Sequence, residues 1–144
     1  MNYTEVYIND LIVAQKYILK LNELKSKAIL ITGASGLIGS AIVDFLLQLN
    51  DSLHTNNEIY AAGRNIEKLK IRFLEKIHRK DLYLLKYDAT KEISFSNNFN
   101  YIIHAASPAY PAIYKSKPVE TMLANIIGIN NILEYAKKHI TERI

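Results

Sequence analysis

Short apolar runs alternate with amphipathic segments from residue 28 onward. Within each apolar run, polar residues do not occupy every second position. Such a continuous run is typical of a strand that is buried on both faces of a parallel sheet. Between them, apolar residues recur at helical spacing. The pattern predicts strands at residues 28–32, 58–62, 82–87 and 101–105, and helices at residues 37–49, 66–78 and 118–139.

The order of these elements predicts the fold class. Strands that are separated by helices run parallel, and their crossovers are right-handed. We therefore predict an α/β fold with a doubly wound parallel sheet over residues 27–144, with no repeat or linker dividing it. Residues 1–26 precede this unit, and apolar side chains at helical spacing predict an amphipathic leading helix over residues 4–25, capped by Thr4. Its polar face carries both signs of charge, so we expect it to pack against its own domain.

A glycine-rich turn joins the first strand of this unit to its first helix. Gly33, Gly36 and Gly39 follow the spacing Gly-x-x-Gly-x-x-Gly. The first glycine permits a tight turn, the second lets a phosphate approach the backbone, and the third lets the helix pack closely on the strand. Free N–H groups at the helix start favour an anion there. This context predicts a dinucleotide site, with a turn that binds nothing as the alternative. No Gly-Lys-Ser/Thr follows, which excludes phosphoryl transfer at a P-loop.

Two residues after the second and third strands bear on which dinucleotide would bind. An acid that accepts from the adenosine 2′-hydroxyl is usual after the second strand, but this chain has Arg64 there, behind Gly63. A guanidinium pairs well with a 2′-phosphate, so we predict NADP in preference to NAD, with a solvated arginine as the alternative. Asp88, after the third strand, would accept from the adenine amino group or cap the loop that follows it.

Composition and charge exclude several classes of protein. The chain has 144 residues, of which 49% are hydrophobic and 22% are charged, as in a globular domain. The net charge of +4 is spread along the chain, so we predict no nucleic-acid partner. There is no cysteine, and the histidines are not spaced as metal ligands, so we predict no metal. Neither a membrane span nor a signal peptide is recognisable, so we predict a cytoplasmic protein with no membrane partner.

These motifs together resemble the extended short-chain dehydrogenase/reductase family, which contains NAD-dependent epimerases and dehydratases. The matching segments are Thr32–Gly39, Asp88-Ala89, His104–Ser107 and the helix around Asn125. The loop that begins Ser107-Pro108-Ala109-Tyr110-Pro111 is similar to that of UDP-glucuronate decarboxylases and their dTDP-glucose 4,6-dehydratase relatives. The resemblance implies a Rossmann-like NAD(P)-binding fold, truncated after its fourth strand and the following helix.

The resemblance also implies roles for individual residues. The pyrophosphate would lie on Gly33, Ser35, Gly36, Leu37, Ile38 and Gly39. The rest of the cofactor would contact Arg64, Asp88, Ala89, Ala105, Ala106, Ser107 and Asn125, with Asn125 beneath the site. A sugar substrate would approach Ser107, Pro108 and Tyr114, although Tyr114 is equally explained as a packed loop aromatic. His104 is interpreted as a strand-end histidine bonded to the backbone and not as a base.

The function implied by the resemblance is NAD or NADP binding within a nucleotide-sugar-modifying enzyme. Dehydration, decarboxylation or epimerisation would proceed through a 4-keto intermediate. Two alternatives stay open: an NADP-dependent carbonyl reductase of the same fold, and a non-catalytic dinucleotide-binding module. The family's catalytic Tyr-x-x-x-Lys helix is not matched, so no catalytic residue is assigned and this chain alone is expected to be inactive. Tyr87 and Lys91 have that spacing, but they span a strand end and a loop and would not share a helix face.

The end of the chain leads to an expectation about assembly. The family continues with a fifth strand beside the fourth, and this chain stops where that strand would begin. The fourth strand, residues 101–105, would then be an unprotected apolar edge, which tends to pair with another chain. We expect self-association, a homodimer when the protein is complete, and a nucleotide sugar as the substrate of the complete enzyme.

Overall fold

Four parallel strands form the sheet of this structure, a computed structural model that describes residues 3–107 and 110–144. The strands are β1 (Ala28–Thr32), β2 (Glu58–Gly63), β3 (Leu82–Lys86) and β4 (Tyr101–His104). They lie in the order β3-β2-β1-β4, so the chain moves outward from β1 in one direction and then crosses to its other side. The predicted doubly wound α/β fold is confirmed, and a crevice is expected beyond the carboxyl ends of β1 and β4.

Helices cover both faces of the sheet. They are α1 (Glu5–Gln15), α2 (Leu37–Leu53), α3 (Ile66–Arg72), α4 (Pro111–Ser116) and α5 (Pro118–Lys138), and 3₁₀ turns occupy Leu21–Leu24 and Leu74–Lys76. Side chains alternate along β1, so Ile29 and Ile31 pack with α2 and α3, whereas Leu30 packs with α5 on the opposite face. The strand is therefore buried on both sides, which explains its unbroken apolar sequence.

Three helices differ from their predicted extents. The leading helix ends at Gln15 instead of residue 25, because the N–H groups of the next three residues bond to carbonyls only three positions back, in a tighter turn. Leu11 is the buried residue of α1, so little apolar packing extends this helix. The prediction for residues 66–78 is likewise too long, since α3 ends at Arg72, and α2 is longer than predicted.

The leading helix is held to its own domain by a buried carboxylate on α2. Asp44 is fully buried, and it accepts hydrogen bonds from the hydroxyls of Tyr3 at 2.8 Å and Tyr7 at 2.9 Å. Arg72 and Lys76 form ion pairs with the same carboxylate, the latter at 3.0 Å. The expected packing of the leading helix is therefore confirmed, and a single carboxylate links it to α2 and to the segment around α3.

The edge of β4 is not unprotected along its whole length. The N–H of Ile102 donates to the carbonyl of Arg143 at 3.0 Å, and the N–H of Glu142 donates to the carbonyl of Asn100 at 2.8 Å. Tyr101 and Arg143 form a parallel bridge. The expectation of an unprotected edge is wrong at Tyr101 and Ile102, because the last residues of the chain return to the sheet and pair there.

Candidate functional site

The glycine turn lies against the carboxyl ends of three strands. Its first glycine, Gly33, has φ +68°, and a Cβ there would be 2.6 Å from the carbonyl carbon of Ala105. The N–H of Ala34 donates to the carbonyl of Ala62 at 3.0 Å, which ties the turn to β2. A left-handed backbone and this contact both require glycine at position 33. The turn is therefore built as its glycine spacing predicted.

The start of α2 presents backbone donors beside this turn. Gly36 is the N-cap residue, and no side chain of the described residues caps the helix. The side chains of Leu37 and Ile38 are 85% and 69% exposed, so these residues would act through their N–H groups. The first N–H groups of a helix have no partner within it, and the helix dipole favours an anion beside them. The turn and α2 together can hold a phosphate.

A cavity of about 490 Å³ opens at this end of the sheet. It lies beyond β1 and β4, where the strand order reverses and where ligands bind in open α/β sheets. Its lining residues come from every strand end and from α3, α4 and α5. They are Gly33, Ser35, Gly36, Gly63, Arg64, Asn65, Lys68, Tyr87, Asp88, Ala89, Thr90, Ala105, Ala106, Ser107, Ile113, Lys117, Glu120, Thr121 and Ala124.

The cavity wall formed by the ends of β2 and β3 carries side chains of both positive and negative charge. Arg64 and Lys68 line it, together with Asp88. Asp88 accepts hydrogen bonds from the N–H of Thr90 at 3.0 Å and from its hydroxyl at 2.9 Å. These bonds, with the nearby positive charge of Arg64, hold the pKa of Asp88 below its ordinary value. Asp88 therefore caps its loop, which was one of the two predicted roles, and it stays charged at the cavity wall.

The opposite wall is formed by the end of β4 and by α4 and α5. Ala105, Ala106 and Ser107 line it directly after the strand. Lys117 lies at the junction of α4 and α5, and its carbonyl accepts a hydrogen bond from the Thr121 hydroxyl at 2.8 Å. This bond fixes the first turn of α5. The wall combines small side chains next to the sheet with a cation at the rim.

His104 lies at the end of β4 and outside the cavity lining. Its Nδ1 atom is 2.8 Å from the hydroxyl oxygen of Thr32, and a Cβ added to Gly128 of α5 would be 3.1 Å from its Nε2 atom. Burial lowers the pKa of His104 below its ordinary value. A structural role is therefore supported, but the predicted backbone bond is wrong, since the hydrogen bond is to a side chain on the neighbouring strand.

The structure brings most of the predicted site residues together, although they are distant in sequence. The predicted residues that line the cavity are Gly33, Ser35, Gly36, Arg64, Asp88, Ala89, Ala105, Ala106 and Ser107. Gly39 is buried directly beneath the turn. Asn125 and Tyr114 have exposed side chains and do not line the cavity, and Pro108 lies outside the described residues.

Several lining residues were not identified from the sequence. Lys68 follows the N-cap of α3 by three positions, so its helical phase could have placed it beside Arg64. Ile113 lies in α4 and Lys117 directly follows it, and this helix was not predicted. Tyr87 and Thr90 flank Asp88 and Ala89, which were predicted as site residues after β3. Tyr87 and Lys91 do not share a helix, which confirms the prediction that they span a strand end and a loop.

Residues 3–107 and 110–144 contain neither a cluster of metal-ligating side chains nor a helix suited to the membrane interior. In that part of the chain, no group of three or more histidine, aspartate or glutamate side chains is arranged to hold a metal ion. Nor does any helix described there combine the length and apolar character that crossing a membrane requires.

Sequence comparison relates the chain to one enzyme family. The model of the NAD dependent epimerase/dehydratase family matches residues 29–144. UDP-glucuronic acid decarboxylase 6 of Arabidopsis thaliana is 34% identical over 110 residues, which are 76% of this chain and 30% of that protein. UDP-glucuronic acid decarboxylase 1 of Danio rerio is 30% identical over 132 residues, which are 90% of this chain and 29% of that protein. The chain thus spans less than a third of the length of these relatives.

Solved structures share the fold. Pen from Bacillus thuringiensis matches with a TM-score of 0.62 at 23% identity, over 78% of this chain and 34% of that one. The oxidoreductase yciK from E. coli matches with a TM-score of 0.55 at 19% identity, over 82% of this chain and 54% of that one. At these identities the likeness concerns the fold alone.

Proposed function

Because the chain belongs to the NAD dependent epimerase/dehydratase family, we propose that it binds NAD or NADP as the cofactor-binding part of a nucleotide-sugar-modifying enzyme. The observation that carries this proposal is the cavity at the switch point of the sheet. Residues between Gly33 and Ser107 that were predicted to bind the cofactor converge on it. Its volume of about 490 Å³ suits a small-molecule ligand.

The residues present fit a dinucleotide. The glycine turn leaves the backbone open to a pyrophosphate, and the uncapped start of α2 supplies N–H donors to its oxygens. Asp88 and Ala89 would lie beside the adenine, and Ala105, Ala106 and Ser107 beside the nicotinamide. The small side chains after β4 let a flat ring approach the sheet. When bound, the nicotinamide would supply hydride transfer to and from the sugar.

Decarboxylation of a nucleotide sugar through a 4-keto intermediate is the reaction that we favour over dehydration and epimerisation. The named relatives are UDP-glucuronic acid decarboxylases, which supports a UDP-sugar with a carboxylate at C5. Ser107 would lie between cofactor and sugar, since it lines the cavity after β4. A tyrosine and lysine that exchange the hydroxyl proton are not assigned in this chain, so we expect binding without turnover here.

Arg64 supports NADP over NAD. It follows β2 and lines the cavity at the place where an acid would accept from the adenosine 2′-hydroxyl. A guanidinium offers paired donors to a phosphate and no acceptor for a hydroxyl proton. We therefore propose that the 2′-phosphate of NADP contacts Arg64.

The outer face of α5 supports a homodimer of the complete protein. Apolar side chains recur along this face at helical spacing and are exposed: Val119, Met122, Leu123, Ile126, Ile129 and Leu133. An exposed apolar stripe of this length is typical of an interaction surface. A second copy that presents the same stripe would cover it by two-fold symmetry.

Binding of the reduced cofactors tests the proposed function. The chain would be titrated with NADPH and with NADH while the nicotinamide fluorescence is followed. The Ser35→Glu variant, which adds a negative charge beside the pyrophosphate, should weaken binding of both about tenfold or more. Ser96→Glu adds the same charge to an exposed loop outside the cavity and should leave binding unchanged. Failure of a folded wild-type chain to bind either cofactor would refute the proposal.

A longer chain that carries the Tyr-x-x-x-Lys helix would test the reaction. Release of carbon dioxide from UDP-glucuronic acid is the expected result. Reduction of a simple ketone without response to nucleotide sugars would favour the carbonyl reductase instead. Cofactor binding without any turnover would favour the non-catalytic module.

A further inference from the structure

The side chain of Asn131, on α5, bonds to the turn that follows β3. Its amide nitrogen donates to the carbonyl oxygen of Ala89 at 3.2 Å and to that of Lys91 at 2.9 Å. Asp88 and Ala89 of this turn line the cavity, but Asn131 does not. We propose that Asn131 is a positioning residue for the adenine half of the dinucleotide. This inference rests on the proposed function and adds to it a residue outside the cavity.

Residues 88–91 form a turn that closes on itself. The N–H of Lys91 donates to the carbonyl of Asp88 at 2.9 Å. The Oδ1 atom of Asp88 accepts from the N–H and from the hydroxyl of Thr90. An aspartate that bonds to the backbone two residues on is a common way to stabilise a turn. All three bonds lie within the turn, so they determine its shape but not its position relative to the rest of the domain.

Two residues of α5 hold the turn in place. Asn131 bonds to the carbonyls on either side of Thr90. Gly128 lies three positions earlier and therefore on the same face of the helix. A Cβ added to Gly128 would be 3.3 Å from the Cβ of Ala89, so α5 approaches the turn closely there. Gly128 permits the approach, and Asn131 supplies the hydrogen bonds that fix it.

The position of the turn determines where the second carboxylate oxygen of Asp88 lies. Both bonds from Thr90 use Oδ1, and Oδ2 accepts no hydrogen bond from residues 3–107 or 110–144. A carboxylate oxygen of this kind can accept from an amino group such as that of adenine. Hydrogen bonds weaken steeply as their geometry departs from the optimum. A displaced turn would therefore weaken the adenine contact and leave the nicotinamide half of the site unchanged.

Asn130 provides a matched comparison for Asn131. It is the preceding residue of α5, it is exposed, and it does not line the cavity. Both asparagines would be changed to alanine, which removes the amide without adding charge, and to aspartate, which replaces the donor by an acceptor. At position 131 the aspartate would set a carboxylate oxygen against two carbonyl oxygens.

The two halves of the cofactor separate a local effect from a general one. Calorimetry would measure binding of ADP, nicotinamide mononucleotide, NADH and NADPH to the wild-type chain and to the four variants. Asn131→Ala should weaken ADP and both dinucleotides about tenfold, as expected for the loss of two hydrogen bonds that hold the turn. It should leave nicotinamide mononucleotide within about twofold. Asn131→Asp should weaken ADP at least as much, and both Asn130 variants should bind all four probes normally.

Hydrogen exchange provides a second measurement of the same effect. The amides of residues 88–91 should exchange faster in both Asn131 variants than in the wild-type chain or the Asn130 variants. Unchanged exchange there would overturn the inference. So would equal weakening of nicotinamide mononucleotide, which would indicate general loosening, or a loss confined to Asn131→Asp, which would be an effect of charge. These outcomes leave the proposed function intact, whereas a folded wild-type chain that binds neither dinucleotide would overturn both.

Discussion

The carbonyl oxygen of Gly33 lies where a side chain at Gly39 would have to be. A Cβ added to Gly39 would come within 2.5 Å of that oxygen and within 2.9 Å of its carbonyl carbon. The first turn of α2 therefore rests directly on the backbone of the glycine turn. Atoms this close cannot be accommodated by a side-chain rotation, since the contact is with backbone.

Gly39→Ala should destabilise the fold and weaken cofactor binding together. Overpacking of this kind typically costs about 1–3 kcal/mol. The free energy of unfolding would be measured in urea, with Gly63→Ala as the control. A Cβ on Gly63 meets Leu69 at 3.5 Å, an ordinary contact, so that variant should keep its stability. Equal stability of both alanine variants would contradict the packing seen at the turn.

Asp44→Asn should be among the most destabilising single changes on α2. The carboxylate is buried and serves two cations and two hydroxyls, and removing one partner of a buried ion pair typically costs about 3–5 kcal/mol. Asp51→Asn, which breaks the exposed pair with Arg79, should cost about 1 kcal/mol or less. Urea unfolding of both variants checks the difference. A small effect at Asp44 would show that the cations find other partners.

Stability should fall as the pH rises from 10 to 12. Burial, with the negative charge of Asp88, raises the pKa of Tyr87 to about 12. A pKa that is higher in the folded state means that the folded chain holds this proton more tightly, so the stabilisation is present below pH 10 and lost through pH 12. Burial and Asp44 raise the pKa of Tyr7 to about 12 in the same direction.

Tyr87→Phe should reduce that alkaline loss without destabilising the protein at neutral pH. The Tyr87 hydroxyl is buried and has no hydrogen-bond partner among residues 3–107 and 110–144, so removing it costs little. Unfolding would be followed by circular dichroism at several pH values. Tyr17→Phe is the control, because Tyr17 is 78% exposed. An unchanged pH profile in Tyr87→Phe would mean that other tyrosines account for the loss.

Ile126→Lys should shift the chain toward the monomer. Ile126 lies in the exposed stripe of α5, and a buried charge at a two-fold interface would be unpaired in both copies. Sedimentation velocity over a range of protein concentrations measures the effect. Ile71→Lys changes the same residue type on α3, where the side chain is 69% exposed, and should not alter the distribution. A wild-type chain that stays monomeric at high concentration would contradict the dimer proposal for this surface.

The strands were predictable because a strand that is buried on both faces needs a short continuous run of apolar residues, and such runs are visible in the sequence. Ile29, Leu30 and Ile31 are all buried, on alternating faces, so their sequence is unbroken and diagnostic. The helices were harder because their ends depend on tertiary contacts. The leading helix continues its apolar spacing past Gln15 but has few buried contacts to sustain it. Helix α4 contains no buried residue and so has no apolar periodicity to reveal it.

The candidate site was predictable where its residues follow strands. Gly33, Asp88 and Ala105 each lie just beyond a strand, and parallel strands bring their carboxyl ends to one edge of the sheet. Lys117 and Thr121 reach the same cavity through α4 and α5, whose placement over the sheet depends on packing across long sequence separations. Local patterns do not contain that information.

The carboxylate of Asp44 has a consequence for the cavity as well as for the fold. The Asp44 carboxylate attaches the leading helix to α2, which starts at the glycine turn. It also attaches that helix to the segment around α3, which starts beside Arg64. The glycine turn and the wall that carries Arg64 are thus connected through Asp44 to Tyr3 and Tyr7, which do not line the cavity. Tyr3 and Tyr7 therefore support the candidate site from outside the cavity, and we expect their removal to weaken cofactor binding at a distance.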